Sequence, residues 1–282
     1  MTTATATVPY PSLAAVQSPR RLALHALVAI LARDLTVVRK QFIFFTLRTV
    51  TQPLLFVFVF AYVFPKIGQG IGGSAQSASA FSTLLVPGIV ASSLFFQGIQ
   101  TVALPLVQEF GYTREIDDRV MAPLPVWGIA MTKMMSGAVQ SGIAALMVIP
   151  FALLIPEHEV VLDINWVELV TIGVLACVMA GSFGLAVGTR FEPRQVPLIF
   201  SILLIPMTML GAVYFPWQRL DAISWLKWAV LVNPLLYVSE GLRMATTPLN
   251  HMPTWAIYLA LIGFTTFFMW LSIRGFAKRV LT

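Results

Sequence analysis

The chain has 282 residues, 58% of them hydrophobic and only 11% charged, with 18 basic and 12 acidic side chains and a net charge of +6. An ordinary soluble domain carries roughly 25% charged residues, so this composition leaves too little polar surface for a water-facing fold and excludes a soluble enzyme, a disordered chain or a disulfide scaffold. At about 20 residues per spanning helix, the length accommodates about six spans and little else.

Residues 1–19 are small, polar and proline-bearing, without a charged stretch followed by a short apolar core. They predict a disordered cytoplasmic tail rather than a signal peptide. From Arg20 to Lys40, Leu24, Leu27, Val28, Leu31, Leu35 and Val38 recur at helical spacing while Arg21, Arg33, Arg39 and Lys40 punctuate the stripe. That segment is too charged to span and predicts an amphipathic helix lying on the cytoplasmic membrane surface. Six spans follow: about Ile43–Phe64, Phe81–Val107, Val126–Ile155, Trp166–Thr189, Val196–Phe215 and Thr254–Ile273. Arg48, about one turn inside the first, can snorkel back to the interface.

Between spans 5 and 6 lies the segment 216–253. Its two apolar runs, separated by Asn233-Pro234, are each too short to cross. They predict two short extracellular re-entrant helices. The fold class is therefore an all-α polytopic membrane protein with six transmembrane helices. Fourteen of the eighteen basic residues fall on one side if the N-terminus is inside, and the loop between spans 3 and 4 has three acids and no Lys or Arg. Both termini are thus expected in the cytoplasm.

Motifs for self-contained chemistry are missing. The sequence has no G-x-x-x-x-G-K-[ST], HExxH, CxxC or GxSxG, and its one cysteine, Cys177, lies in an apolar run. The spans hold only Arg48, Lys133 and Glu168 as charged groups, all near span ends. An ion-coupled secondary carrier ordinarily keeps such groups near the midplane. The charge-rich feature is instead the inner loop 108–125, QEFGYTREIDDRVMAPLP, where Tyr112, Ile116 and Val120 give one apolar face at i, i+4 and i+8. It reads either as a solvated turn or as a surface helix suited to docking into a partner's groove.

Pro87-Gly88, the run Gln108-Glu109-Phe110-Gly111-Tyr112-Thr113-Arg114-Glu115, the step Met121-Ala122-Pro123-Leu124-Pro125 and Lys133 resemble the ABC-2 type permease family. So does the outer series Leu210-Gly211-Ala212-Val213-Tyr214-Phe215-Pro216, Trp225-Leu226-Lys227-Trp228, Asn233-Pro234-Leu235-Leu236-Tyr237 and Glu240-Gly241-Leu242-Arg243. The resemblance covers most of the chain after residue 20. It implies one transmembrane half of an exporter in the bacterial inner membrane, with no ATPase site or cofactor on this chain. ATP and magnesium would be held by a separate nucleotide-binding ATPase subunit, and a second permease subunit and membrane lipid would complete the assembly, with no role for nucleic acid. Residues 20–40 would be the connecting helix. In the coupling loop, Glu109, Gly111, Tyr112, Thr113, Arg114, Glu115, Asp117 and Arg119 would meet the ATPase.

By the same resemblance the cargo would be an amphiphilic drug, a lipid or a lipid-linked glycan moved outward between paired subunits along spans 1, 2 and 5. Polar candidates for that path are Gln52, Ser93, Gln97, Gln100 and Thr208, with Thr46, Thr49 and Ser92 beside them; hydrogen bonding between helices is the competing role for each. The extracellular gate would comprise Phe215, Trp225, Asn233, Tyr237, Glu240 and Arg243. A secondary carrier, or a membrane scaffold without cargo, stands as the alternative.

Overall fold

The computed structural model describes residues 19–67, 75–110, 126–157, 159–191 and 195–281. Every regular element among them is helical, as a chain must be when its backbone polar groups have no water to pair with. Helix α1 (Pro19–Lys40) leads across Gln41 into α2 (Phe42–Val57), which continues through a π-helical stretch (Phe58–Val63) to Lys66. Then come α3 (Ala75–Gln108), α4 (Val126–Leu154), α5 (Trp166–Arg190) and α6 (Val196–Met209). Two short helices, α7 (Ser224–Ala229) and α8 (Pro234–Thr246), precede the long α9 (Thr254–Leu281).

Five of these helices are long and apolar enough to cross a membrane, and α6 is a shorter apolar helix. The expected amphipathic leader is present as α1. Three boundaries differ from the sequence reading. Helix α3 begins at Ala75, ahead of the expected Phe81 and of the apolar span that starts at Ser79, and α9 carries the basic tail in helical form to Leu281. The fifth span stops at Met209, not Phe215, because the chain turns at Gly211-Ala212, where Ala212 takes a φ of +52°.

The centre of the bundle is α3, α5 and α4, with α9 packed along α5. Backbone approach sets their spacing. A Cβ on Gly184 of α5 would stand 2.7 Å from the Ile99 carbonyl oxygen of α3, so only glycine permits that crossing. Phe183 and Phe268 meet edge to face at 4.6 Å, and Ser272 donates to the Ser182 carbonyl at 2.5 Å, which locks α9 to α5. Arg279 closes the same seam at the α1 end by donating to the carbonyls of Gly188 (3.1 Å) and Phe191 (2.8 Å) at the C-terminus of α5, where the helix dipole favours a cation.

At the opposite end, the linker after α4 is stitched down. Asp163 and Asn165 amides donate to the carbonyls of Thr246 and Ala245 at 2.9 Å, and Val161 donates to Thr83. Asn165 then caps α5 by accepting from the amides of Val167 and Glu168. Helix α8 does not lie along the surface: Pro234 to Ala245 are all buried, against α3, α5 and α9.

Candidate functional site

The five polar residues expected along a path come from three helices and converge. Gln52 of α2, Ser93, Gln97 and Gln100 of α3 and Thr208 of α6 line one small chamber together with Arg48, Thr49, Ser92, Phe56 and Phe96. Their spacing puts them there: Ser93, Gln97 and Gln100 recur at i, i+4 and i+7 on one stripe of α3. Local bonds satisfy some of them. Ser93 donates to the Ile89 carbonyl at 2.7 Å, Thr208 to Leu204 at 2.7 Å, and Gln97 to Thr101 at 3.3 Å. The chamber has a volume of about 40 Å³, room for little more than one water, with Arg48 and Gln52 exposed at its edge.

A larger cleft of about 440 Å³ opens toward the α1 end, between α1, α2, α3 and α4. Arg48, Gln97 and Gln100 line both cavities, making one the continuation of the other. Arg48 turns inward to donate to Gln100 Oε1 at 2.7 Å, across 52 residues of sequence, rather than reaching back toward the start of its helix. The cleft floor holds an ion pair that sequence reasoning missed. Lys133 Nζ of α4 donates to Glu109 Oε1, at the end of α3, at 2.5 Å, with both side chains about 9% exposed. Nothing in the local pattern of either residue marks the other as its partner.

At the far end, the proposed gate residues divide. Glu240 and Arg243 form an ion pair with both side chains 0% exposed. The Glu240 carboxylate also accepts from the Trp217 amide (3.0 Å) and the Met252 amide (2.8 Å), while Arg243 donates to the Ala212 carbonyl at 2.8 Å. One buried pair thus joins α8 to the turn after α6 and to the loop before α9. Asn233 caps α8 through the Leu235 amide and donates to the Met207 carbonyl at 2.8 Å, and the Tyr237 hydroxyl donates to the Leu231 carbonyl at 3.0 Å. Gly88 lies under this cap: a Cβ there would stand 2.3 Å from the Val213 carbonyl oxygen.

Phe215 is half-buried and lines an outer pocket of about 630 Å³ with Tyr214, Phe81 and Arg219. Burial, with the rings of Phe56 and Phe60 within 6 Å, pushes the Tyr214 phenol up to about 12. Trp225 stands apart, 73% exposed, and Trp228 is 68% exposed. Lys66, at the end of α2, is raised above its ordinary value by its hydrogen bond to Tyr62 and by Glu157 at 3.4 Å.

Of the coupling set, Glu109 is described; Gly111, Tyr112, Thr113, Arg114, Glu115, Asp117 and Arg119 lie outside the described residues, as does the tail up to residue 18. The chain matches none of the curated proteins closely enough to add a relative. A family model, ABC-2 type transporter, matches residues 25–247, from α1 through the whole of α8. With its helical bundle, its buried α8 and a match over most of its length, the chain belongs to the ABC-2 type transporter family, as a permease component and not the ATPase.

Proposed function

We propose that this chain forms one transmembrane half of an exporter that moves an amphiphilic drug, lipid or lipid-linked glycan outward, powered by a separate ATPase that holds the ATP and magnesium. The observation that carries this reading is the convergence of Gln52, Ser93, Gln97, Gln100 and Thr208 on one chamber continuous with a cleft at the α1 end. A polar route inside an otherwise apolar bundle serves a cargo with a polar head, because each unpaired polar group in that medium costs free energy. The α1 end would face the cytoplasm of a bacterial cell, and two such halves would enclose the full path.

Force would enter through residues 108–125. The Glu109–Lys133 pair supports this reading, since it ties the start of that segment to α4 and would pass a push on it to α3 and α4 as one body. At the far end, the Glu240–Arg243 cluster would hold α8 as a stopper that yields only when the halves move. The reading is tested by reconstituting the chain with the Walker-motif protein expected from a neighbouring reading frame. Uphill transport should need ATP and both proteins, and charge reversal at Arg114 should uncouple ATPase stimulation with the spans still folded. Uphill transport by the chain alone, on an ion gradient without ATP, would refute it.

A further inference from the structure

Among the described residues, the cleft at the α1 end carries three cations, Arg33, Arg48 and Lys133, and two carboxylates, Asp34 and Glu109. The carboxylates are taken: Arg33 pairs with Asp34 at 3.6 Å and Lys133 with Glu109 at 2.5 Å. Among the described residues, no carboxylate pairs with Arg48. Its guanidinium donates to the neutral Gln100 amide oxygen at 2.7 Å and stands exposed at the neck between cleft and chamber. A guanidinium stays charged and offers five N–H donors in a planar fork. Gln97, Ser136 and Gln140 line the same cleft as Arg48. The cleft margin is apolar and open outward, at Phe44 (77% exposed) and Val37 (48% exposed).

A guanidinium with no carboxylate partner among the described residues, exposed at the neck of the cleft with an apolar lip in front of it, fits a molecule with an anionic head and a hydrocarbon tail. The head meets Arg48 through paired N–H···O bonds, and the tail stays against Phe44 and the surrounding lipid. We infer that Arg48 recognises the headgroup of a membrane amphiphile bearing a phosphate-type anion, received through this cleft and presented to the chamber. This rests on the permease reading above and narrows its cargo to the acidic class.

The test uses the full chain in phosphatidylcholine nanodiscs, with a fluorescent short-chain phosphatidic acid as probe, a matched phosphatidylcholine as comparator and sn-glycerol 3-phosphate as competitor. Phosphatidic acid should bind at least about tenfold more tightly than the comparator, a preference that Arg48→Gln removes and Arg48→Lys partly keeps. Gln100→Glu should abolish the preference too, because it sets a carboxylate against the guanidinium while leaving Arg48 in place; it carries the test if Arg48→Gln fails to fold. Equal binding of both lipids, or binding indifferent to Arg48→Gln and Gln100→Glu, would overturn the inference. Competition by glycerol phosphate as effective as that of the lipid would overturn it in favour of a soluble anion. Binding needs no ATPase, so the two readings fail separately. Arg48-dependent binding without ATP-driven transport would count against the exporter alone, and ATP-driven transport of a neutral cargo indifferent to Arg48 would count against the headgroup site alone.

Discussion

Replacing Arg243 by Met removes a guanidinium that is fully buried between Glu240 and the Ala212 carbonyl. The methionine fills much of the volume, so the cost is electrostatic rather than a cavity. Glu240 would keep the Trp217 and Met252 amides but lose its counter-charge, and breaking a buried pair from one side costs about 3–5 kcal/mol. The double variant Glu240→Gln/Arg243→Met removes both charges. Its amide oxygen can still accept from one of the two backbone amides, leaving one buried N–H without an acceptor, a loss of about 1–3 kcal/mol. Adding the second substitution should therefore restore stability, by about 2 kcal/mol, relative to Arg243→Met. Equilibrium unfolding in mixed dodecyl maltoside–dodecyl sulfate micelles measures the three proteins on one scale. A double variant no more stable than Arg243→Met, or an Arg243→Met within 1 kcal/mol of the parent, would refute the account of this pair as the clamp on α8.

Gly184→Val should destabilise the bundle by about 1–3 kcal/mol in the same assay, because its Cβ would press on the Ile99 carbonyl at 2.7 Å and backbone cannot rotate away. Lys133→Met should cost about 1.5–3 kcal/mol, the loss of a charged hydrogen bond to the buried Glu109 carboxylate, and lower ATP-driven transport by more than that loss of folded protein explains; transport per folded molecule, read against the parent, checks it. In an ultraviolet titration, the difference between the parent and Tyr214→Phe should place the missing tyrosinate band near pH 12 rather than near the ordinary 10. A band lost near pH 10 would mean that this phenol is not buried among Phe56 and Phe60.

Much of this architecture could be read from residue order because the membrane leaves a chain few choices. Apolar length marked the long spans, and Asn233-Pro234 marked the break between two short helices, where the structure has Asn233 capping α8 and Pro234 in its first turn. The family resemblance singled out Ser93, Gln97 and Gln100, which share one stripe of α3. What could not be read was set by partners distant in sequence. Glu240 and Arg243 are visible as an i, i+3 pair, but their complete burial depends on Ala212, Trp217 and Met252 arriving from other segments. Arg48 in isolation resembles a residue that snorkels to the interface; its inward turn depends on Gln100, 52 positions away. The early end of α6 is likewise tertiary. Leu210 to Phe215 are as apolar as a span requires, yet the chain leaves the helix where Gly211 closes on Met207 and Leu235.

The shortness of α6 bears on how two halves would meet. Fourteen residues make a helix of about 21 Å, less than a hydrocarbon core of about 30 Å, so α6 is poorly matched to lipid as an isolated wall. Its outward residues Leu198, Ile202, Ile205 and Met209 are 45–64% exposed and recur at i, i+4, i+7 and i+11, one narrow stripe. At 100° per residue, Thr208 sits on the flank of that stripe, which sets the polar chamber beside the exposed face rather than behind it. If a second copy covers the stripe on a two-fold axis, residues near the axis face their own counterparts. A single Ile202→Cys substitution in a Cys177→Ser background should then form a disulfide-linked dimer under mild oxidation in membranes. Leu259→Cys, equally exposed on α9 at 69%, should stay monomeric. Cross-linking at Leu259 and none at Ile202 would move the interface to α9. It would also detach the chamber from any shared path, because the wall that Thr208 flanks would then face lipid alone.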